Sequence, residues 1–252
     1  MCLLVFAWNA HPDYKLILAA NRDEFHARPS QDAHWWPDLP QVLAGRDLQA
    51  GGTWLAISRS GRFATVTNYR EQSRARSGMR SRGEIATNFV SGGQDALNYV
   101  SSLPGDRYAG VSLIAADRDA LCYTSNRNDE PVALEPGVYG LSNASLDTPW
   151  PKLVRTKEAL TRLIDADKVN ASELFRVLAD TTPAPSVEVD SGSMPFKLAR
   201  ALTAPFIVTE AYGTRCSTTL LIGSDQQLQF SERRFAPDGS VSGESAFSFR
   251  CE

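Results

Sequence analysis

The sequence of 252 residues has few histidines, no long apolar run and no excess of one sign of charge. Its three histidines, His11, His26 and His34, belong to no evident catalytic motif. No apolar run approaches the roughly 20 residues that a membrane-spanning helix needs. The net charge of −3 gives no global field that would favour nucleic acid. We therefore expect neither a membrane span nor a nucleic-acid partner.

The spacing of the four cysteines indicates neither a metal site nor a redox pair. Cys2, Cys122, Cys216 and Cys251 form no CxxC pair and no Cys/His spacing typical of a metal site. We therefore expect no metal, and free thiols in a reducing compartment. The first residues carry no Lys or Arg ahead of their apolar stretch, which argues against a secretory signal peptide. The expected location is cytoplasmic, and the oligomeric state is left open.

What the sequence does contain is a succession of strands, then helices, then more strands. CLLVFAW (2–8) and YKLILAA (14–20) predict a hairpin in which Cys2 lies opposite about Ala20. The polar residues 21–24 would then emerge beside Cys2. A second hairpin is predicted over 53–67. Helices are predicted from Ser81 to about Val90, after Pro151 and from Asn170. Further strands are predicted at 110–116, 138–143, 228–235 and 246–250, and a hairpin at 206–223. This order favours a layered α+β fold in a single domain over residues 1–252.

Cys2 follows the initiator methionine, and its position suggests a nucleophile. Removal of Met1 would leave Cys2 with both a thiol and a free α-amine. An α-amine with a pKa near 8 can take the thiol proton at neutral pH, and the resulting thiolate is the reactive form. Such a mechanism needs no histidine. The alternative is that Cys2 is a small apolar residue of a buried strand.

Polar residues at the ends of predicted strands supply the other groups that such a site needs. Asp23 would hold the α-amine, and Arg22 would pair with an anionic substrate or support Asp23. The side-chain amides of Asn68 and Asn143 would donate to a developing oxyanion. The predicted catalytic set is therefore Cys2, Arg22, Asp23, Asn68 and Asn143.

The string NRDE at 21–24, together with the start MCLLVFAW, resembles the NRDE family, also known as the transport and Golgi organisation family. The matching strings lie in the family's order along nearly the whole chain. They are GGTWLAIS (51–58), GRFATVTNYR (61–70), SRGE (81–84), YGLSNASLDTPWPK (139–152) and YGTRCSTTLLI (212–222).

The resemblance implies a branch of the N-terminal nucleophile hydrolase fold, a four-layer αββα sandwich. The penicillin-acylase and bile-salt-hydrolase branch of that fold implies three roles. The residue matching Cys2 is the nucleophile, and the residues matching Arg22 and Asp23 are the Arg and Asp that come after the second strand. The residue matching Asn143 is an oxyanion donor. Those hydrolases separate the Arg from the Asp, whereas here the two are adjacent. Arg215 matches a family position to which no hydrolase role attaches. We predict that Asn21, Arg70 and Arg215 contact substrate.

Three functions compete at this stage. The first is a hydrolase or acyl-transfer enzyme that acts on C–N amide bonds and needs no cofactor. The second is a non-enzymatic carrier of haem or a lipid-like ligand, since the resemblance extends to proposals of haem trafficking. The third is a structural or adaptor protein with a degenerate site.

Two features of the sequence favour the carrier. The basic residues between Arg70 and Arg82, ahead of a predicted helix start, would attract carboxylates or phosphates. The run His34–Trp36 would form an aromatic loop over an apolar ligand. Haem ligation would need an axial His, Cys, Met or Tyr, and the sequence contains no CxxCH. The basic residues are Arg70, Arg74, Arg76, Arg80 and Arg82.

Overall fold

The chain folds into four layers, in which two antiparallel sheets face each other between helices. The computed structural model describes residues 2–71, 78–127, 129–189, 191–192 and 194–252. Within these residues one sheet has six strands and the other has seven. The fold is the αββα sandwich that the family resemblance implies.

The strands and helices follow the chain in an order that brings sequence-distant strands together. The strands are β1 (Cys2–Trp8), β2 (Tyr14–Phe25), β3 (Ser30–Trp36), β4 (Leu39–Asp47), β5 (Leu55–Ser58), β6 (Phe63–Asn68), β7 (Val111–Ala116), β8 (Leu121–Ser125), β9 (Asp129–Ala133), β10 (Gly137–Leu141), β11 (Tyr212–Gly223), β12 (Gln227–Phe235) and β13 (Val241–Arg250). The α-helices are α1 (Gly83–Ser91), α2 (Ala96–Ser101), α3 (Pro151–Asp165), α4 (Ala171–Leu178) and α5 (Phe196–Ala201). The six-stranded sheet runs β10-β1-β2-β11-β12-β13, and the seven-stranded sheet runs β3 to β9 in chain order.

The alternation of side chains along β1 shows how the layers are held together. Leu4 and Phe6 point into the core between the sheets, whereas Leu3 and Val5 pack against α3 and α4. Because successive side chains of a strand face opposite sides, an entirely apolar strand can serve two cores. A third core lies between the seven-stranded sheet and the helices α1 and α2.

A close approach of two backbones joins the segment before β5 to the start of α1. A Cβ atom on Gly52 would lie 2.5 Å from the carbonyl carbon of Gly83. The amide of Thr53 donates a hydrogen bond to the Gly83 carbonyl at 3.1 Å. A glycine is therefore needed at position 52 because of the neighbouring backbone.

Several predictions are wrong in detail. The run His34–Trp36 belongs to β3, and Trp36 is buried with its indole N–H donating to the Ala44 carbonyl. Residues 206–223 contain one long strand, β11, and the predicted hairpin is reduced to a tight turn in which Val208 forms a single antiparallel bridge with Gly213. The helix predicted from Ser81 begins at Gly83, and Ser81 does not form a capping box.

The predicted helix starts elsewhere are confirmed. Pro151 is the first residue of α3, and the Asn170 side chain caps α4 by accepting from the Glu173 amide. Arg74 and Arg76 of the predicted basic loop lie outside the described residues. None of the helices in the described ranges is both long enough and apolar enough to cross a bilayer.

Candidate active site

The strand register places Cys2 directly opposite Arg22. In the β1–β2 pair Trp8 lies opposite Leu16, so Cys2 lies opposite Arg22 and not opposite Ala20 as predicted. The prediction is wrong by two residues because the connection between the strands is longer than the turn signal indicates. A slip of two residues keeps every side chain on its expected face of the sheet.

The polar residues after Ala20 remain in strand β2 because β11 pairs with them. Arg22 lies opposite Cys216, and Asp23 lies opposite Thr214, with a bulge between these two pairs. The predicted turn at 21–24 is therefore a continuation of the strand. Its side chains alternate between the two faces of the sheet, which separates the roles of neighbouring residues.

Asn143 joins the start of β1 to the end of β6. The backbone N–H of Cys2 donates to Oδ1 of Asn143 at 3.3 Å. Nδ2 of Asn143 donates to the backbone carbonyl of Asn68 at 2.7 Å, and the amide of Arg70 donates to the Asn143 carbonyl at 2.7 Å. The hydroxyl of Ser142 donates to the Cys2 carbonyl. Asn143 thus fixes the Cys2 nitrogen against the facing sheet.

Arg22 is a buried cation with an incomplete set of acceptors. Only 5% of the residue is exposed, and its guanidinium carbon lies 4.1 Å from the centre of the Trp54 ring. Its Nη2 atom is 3.9 Å from the Asp47 carboxylate, which Arg28 contacts more closely at 2.7 Å. Its buried Nη1 atom has no hydrogen-bond partner within the described ranges.

Asp23 is buried beside the start of β1. The hydroxyl of Thr214 donates to its Oδ1 atom at 2.7 Å. Burial raises the pKa of Asp23, and the nearby charge of Lys152 and the Thr214 hydrogen bond oppose that rise. Burial also raises the pKa of the Cys2 thiol, the charge of Asp23 adds to that rise, and the charge of Arg22 opposes it.

Lys152 belongs to this site, although no pattern in the sequence predicts a role for it. It lies in the first turn of α3, is 2% exposed, and has no hydrogen-bond partner for Nζ among the described residues. Burial lowers the pKa of Lys152, while the charges of Asp23 and Cys2 oppose that effect. Nothing local in the sequence marks this lysine, because a lysine at a helix start is ordinarily exposed. We call Cys2, Arg22, Asp23, Asn143 and Lys152 the Cys2 site.

The remaining predicted residues lie at varied distances from this cluster. The side chain of Asn21 is buried on the helix-facing side, where it donates to the carbonyls of Leu178 and Pro205 and accepts from Ser217. Its polar atoms are therefore engaged within the protein. Asn68 is exposed and meets the site through its backbone carbonyl.

Arg70 and Arg215 approach the site from two sides. Arg70 meets Asn143 through its backbone amide, and its side chain is exposed. Arg215 uses Nη1 to bind the backbone carbonyls of Phe25, His26 and Arg28, which fixes the connection after β2. Neither contact tests the predicted substrate-binding role, which stays a prediction.

Two small cavities lie on either side of Arg22. One, of about 10 Å³, is lined by Cys2, Arg22 and Trp54 and has room for about one water molecule. The other, of about 100 Å³, is lined by Arg22, Arg215 and Cys216, and also by Glu232 and Arg234. Neither has the volume of about 300–1,000 Å³ typical of a site for a drug-sized ligand.

Cys216 and Glu232 form a second buried pair, which no pattern in the sequence predicts. Burial raises the pKa of both groups, and the thiol of Cys216 is hydrogen-bonded to Glu232. The Glu232 Oε1 atom also accepts from the amide of Ala33 at 2.8 Å, which joins β12 to β3 of the facing sheet. This pair lies across Arg22 from Cys2.

The fold is similar to that of N-terminal nucleophile hydrolases of known structure. The mutant C2A conjugated bile acid hydrolase from Clostridium perfringens superposes with a TM-score of 0.52 at 8% identity, over 98% of this chain and 92% of that chain. A Caenorhabditis elegans N-acylethanolamine-hydrolyzing acid amidase ortholog gives 0.52 at 9% identity, over 87% and 92% of the two chains. At such low identity these matches establish the fold alone.

The sequence comparisons establish the family. The sequence model of the family Transport and Golgi organisation 2 matches residues 1–237. The Transport and Golgi organization protein 2 homologs of Bos taurus and Homo sapiens are 38% and 37% identical over 256 residues, covering 92% of each chain. The Drosophila melanogaster protein of that name is 26% identical, over 92% of this chain and 91% of its own. The chain belongs to the Transport and Golgi organisation 2 family, as the NRDE resemblance predicts.

Proposed function

We propose that this protein is an N-terminal-cysteine amidohydrolase or acyl-transfer enzyme in which Cys2 is the nucleophile after removal of Met1. The observation that carries the proposal is the 3.3 Å hydrogen bond from the Cys2 nitrogen to Oδ1 of Asn143. This nitrogen becomes the α-amine when Met1 is removed. An acceptor is therefore already placed to orient the group that would act as the base.

The first chemical step would be the transfer of the thiol proton to the α-amine of Cys2. The thiolate then attacks the carbonyl carbon of an amide, and the carbonyl oxygen becomes an oxyanion. Arg22, directly across from Cys2 in the strand register, and the second N–H of Asn143 Nδ2 would donate to that charge. The α-ammonium returns its proton to the departing amine, which leaves a thioester on Cys2.

The second step would release the acyl group from Cys2. A water molecule, or another amine in acyl transfer, gives a proton to the α-amine as it attacks the thioester. The thiol of Cys2 is then restored by the same proton.

The solved structures support the same reaction class. Both of the proteins named above are described as hydrolases, and one description specifies a substitution at Cys2 of that protein. Their substrates are not carried over to this chain. The small cavities beside Arg22 imply that access for a larger amide requires some opening at this end of the sandwich.

The carrier function predicted from the sequence has less support. A wider surface cavity of about 460 Å³ lies along α3, bordered by Leu153, Val154, Lys157 and other residues. None of its described lining residues is a His, Cys, Met or Tyr that could ligate haem iron. Binding of haem or of a lipid-like ligand stays a prediction.

The proposal can be tested with an activated acyl donor, p-nitrophenyl butyrate. Intact and peptide mass spectrometry would compare the chain freed of Met1 with a chain whose N-terminal extension keeps Cys2 within a peptide bond. We expect a butyryl adduct on the Cys2 peptide of the first protein only. An adduct of equal extent in the extended chain would contradict the amine-dependent mechanism, and no adduct in either would favour an adaptor with a degenerate site.

A further inference from the structure

Lys152 is held in an environment that disfavours its charge in three ways. It is 2% exposed, so its ammonium group loses most of its hydration. Its Nζ atom has no hydrogen-bond acceptor within the described part of the chain. It also lies in the first turn of α3, where the partial positive charge of the helix end repels a cation. A lysine needed only for packing would be better replaced by an apolar residue of its size.

The charges that face Lys152 come chiefly from two strands. Asp23 on β2 and Cys2 on β1 both interact with it electrostatically. Its aromatic neighbour is Trp150, whose ring centre is 5.9 Å from Nζ. Asp23 is therefore the acidic group that compensates the charge of Lys152.

The other charged groups near α3 have different partners. Arg155 binds the Thr182 carbonyl and Asp180, and Lys157 binds Asp147. On α4, Glu173 and Arg176 are paired with each other. These groups lie toward the surface and are paired with one another. They therefore do not compensate the charge of Asp23 inside the protein, as Lys152 does.

We infer that Lys152 is a positioning residue of the Cys2 site, whose buried ammonium group keeps Asp23 ionised so that Asp23 can hold the α-amine of Cys2. The inference rests on the proposed function. Proton transfer from the thiol to the amine creates an ammonium–thiolate pair next to Asp23. An ionised Asp23 stabilises the new ammonium group, whereas a protonated Asp23 would not. The carboxylate charge also raises the pKa of the Cys2 thiol, and the ammonium group of Lys152 offsets this because it attracts both the Asp23 carboxylate and the Cys2 thiolate. Lys152 therefore favours formation of the nucleophile without touching the substrate.

The test is the pH dependence of Cys2 alkylation by iodoacetamide in the chain freed of Met1. Peptide mass spectrometry separates Cys2 from Cys122, Cys216 and Cys251, and no substrate is needed. We expect Lys152→Met to raise the midpoint of Cys2 alkylation by about one pH unit, which is about tenfold less thiolate at a given pH. Lys157→Met, one to two turns along the same helix, is the matched control and should leave the midpoint unchanged.

A Cys2 midpoint that is the same in Lys152→Met and in the wild type would overturn the inference. If Lys152→Met does not fold, the coupling can be measured from the other side, by NMR titration of the Lys152 13Cε resonance in the wild type and in Asp23→Asn. We expect the Lys152 midpoint to fall in Asp23→Asn, and an unchanged midpoint would overturn the inference. If the midpoints shift but no acyl adduct forms on Cys2, the proposed function fails while the role of Lys152 stands.

Discussion

The two ends of the sheet sandwich hold their charged groups in opposite ways. At the end where β1 begins, Asp23 and Lys152 are buried, and burial moves the pKa of each toward its neutral form. At the other end, where β7 turns into β8, Asp117 is partly buried as well. There three backbone hydrogen bonds outweigh the effect of burial and lower the pKa of Asp117.

The difference lies in what each carboxylate is bound to. Asp117 accepts from the amides of Ala96, Asp119 and Ala120, so its charge stabilises a turn and the start of α2. Asp23 faces a buried lysine and a thiol. Buried charges that depend on one another in this way are expensive, and they are concentrated at functional sites. The comparison fits the proposed function, in which the first end carries the chemistry and the second contributes stability.

The largest expected effect is a difference in adduct formation between variants of the thiols at the two ends, Cys2 and Cys251. Cys2→Ala should abolish formation of a butyryl adduct, because no other thiol would have an α-amine attached to its own residue. Cys251→Ala, at the opposite end, should leave the rate of adduct formation unchanged, although burial raises the pKa of Cys251 as well. The measurement is the adduct yield after Met1 removal. Labelling that survives in Cys2→Ala would contradict the assignment of the nucleophile.

The next effect breaks the charge balance at the first end. Asp23→Asn leaves the buried charge of Lys152 without its compensating carboxylate, so the free energy of unfolding should fall by about 3–5 kcal/mol at pH 7. Adding Lys152→Met should recover much of that loss, since the double variant buries no uncompensated lysine. Urea denaturation of the two single variants and the double variant measures this coupling. Strictly additive losses would show that the two side chains do not interact.

A pH-dependent effect is expected for Glu232. Burial raises the pKa of Glu232, against the hydrogen bond from Ala33. The folded state then holds the Glu232 proton to a higher pH than the unfolded state does, so its stabilising contribution is present at low pH. That contribution is lost as the pH rises from about 4.3, the ordinary value for Glu, through the raised folded pKa.

The matched variant for that effect is Glu232→Gln. We expect the wild type to lose more free energy of unfolding than Glu232→Gln between pH 5 and pH 8, by an amount smaller than the loss in Asp23→Asn. Urea denaturation of both proteins at the two pH values measures the difference. Parallel pH profiles would mean that Glu232 titrates normally in the folded state.

Much of the fold could be predicted from local patterns, because each pattern has a local cause. The apolar run 2–8, the cap at Asn170 and the proline at the start of α3 each act within a few residues. Strand β3 could not be predicted, because SQDAHWW has neither alternation nor an apolar run. Its Trp36 is buried only because β4 and the helices cover it.

The part of the candidate site that could be predicted is the part that the pairing of β1 with β2 brings together. Cys2, Arg22 and Asp23 come together because a two-residue slip of the hairpin changes neighbours but not faces. Lys152 could not be found in this way. Its burial depends on how α3 packs against β10 and against β1, and β1 is far from it in the sequence. The buried Glu232 was missed for the same reason, since β12 meets β3 across the two sheets.

The smallest expected effect concerns Asp117, at the end of the sheets that contributes stability. In Asp117→Asn one carboxylate oxygen is replaced by an NH₂ group. This group faces the amide of Ala96, which in the wild type donates a hydrogen bond to the Asp117 carboxylate at 2.6 Å. We expect the free energy of unfolding to fall by about 1 kcal/mol, as is typical for the loss of one capping hydrogen bond. The pH midpoint of Cys2 alkylation should not move, because Asp117 lies at the far end of the sheets. Urea denaturation and alkylation of the same preparation measure both quantities. A shifted Cys2 midpoint would mean that the two ends are coupled and that the separation of chemistry from stability argued above is wrong.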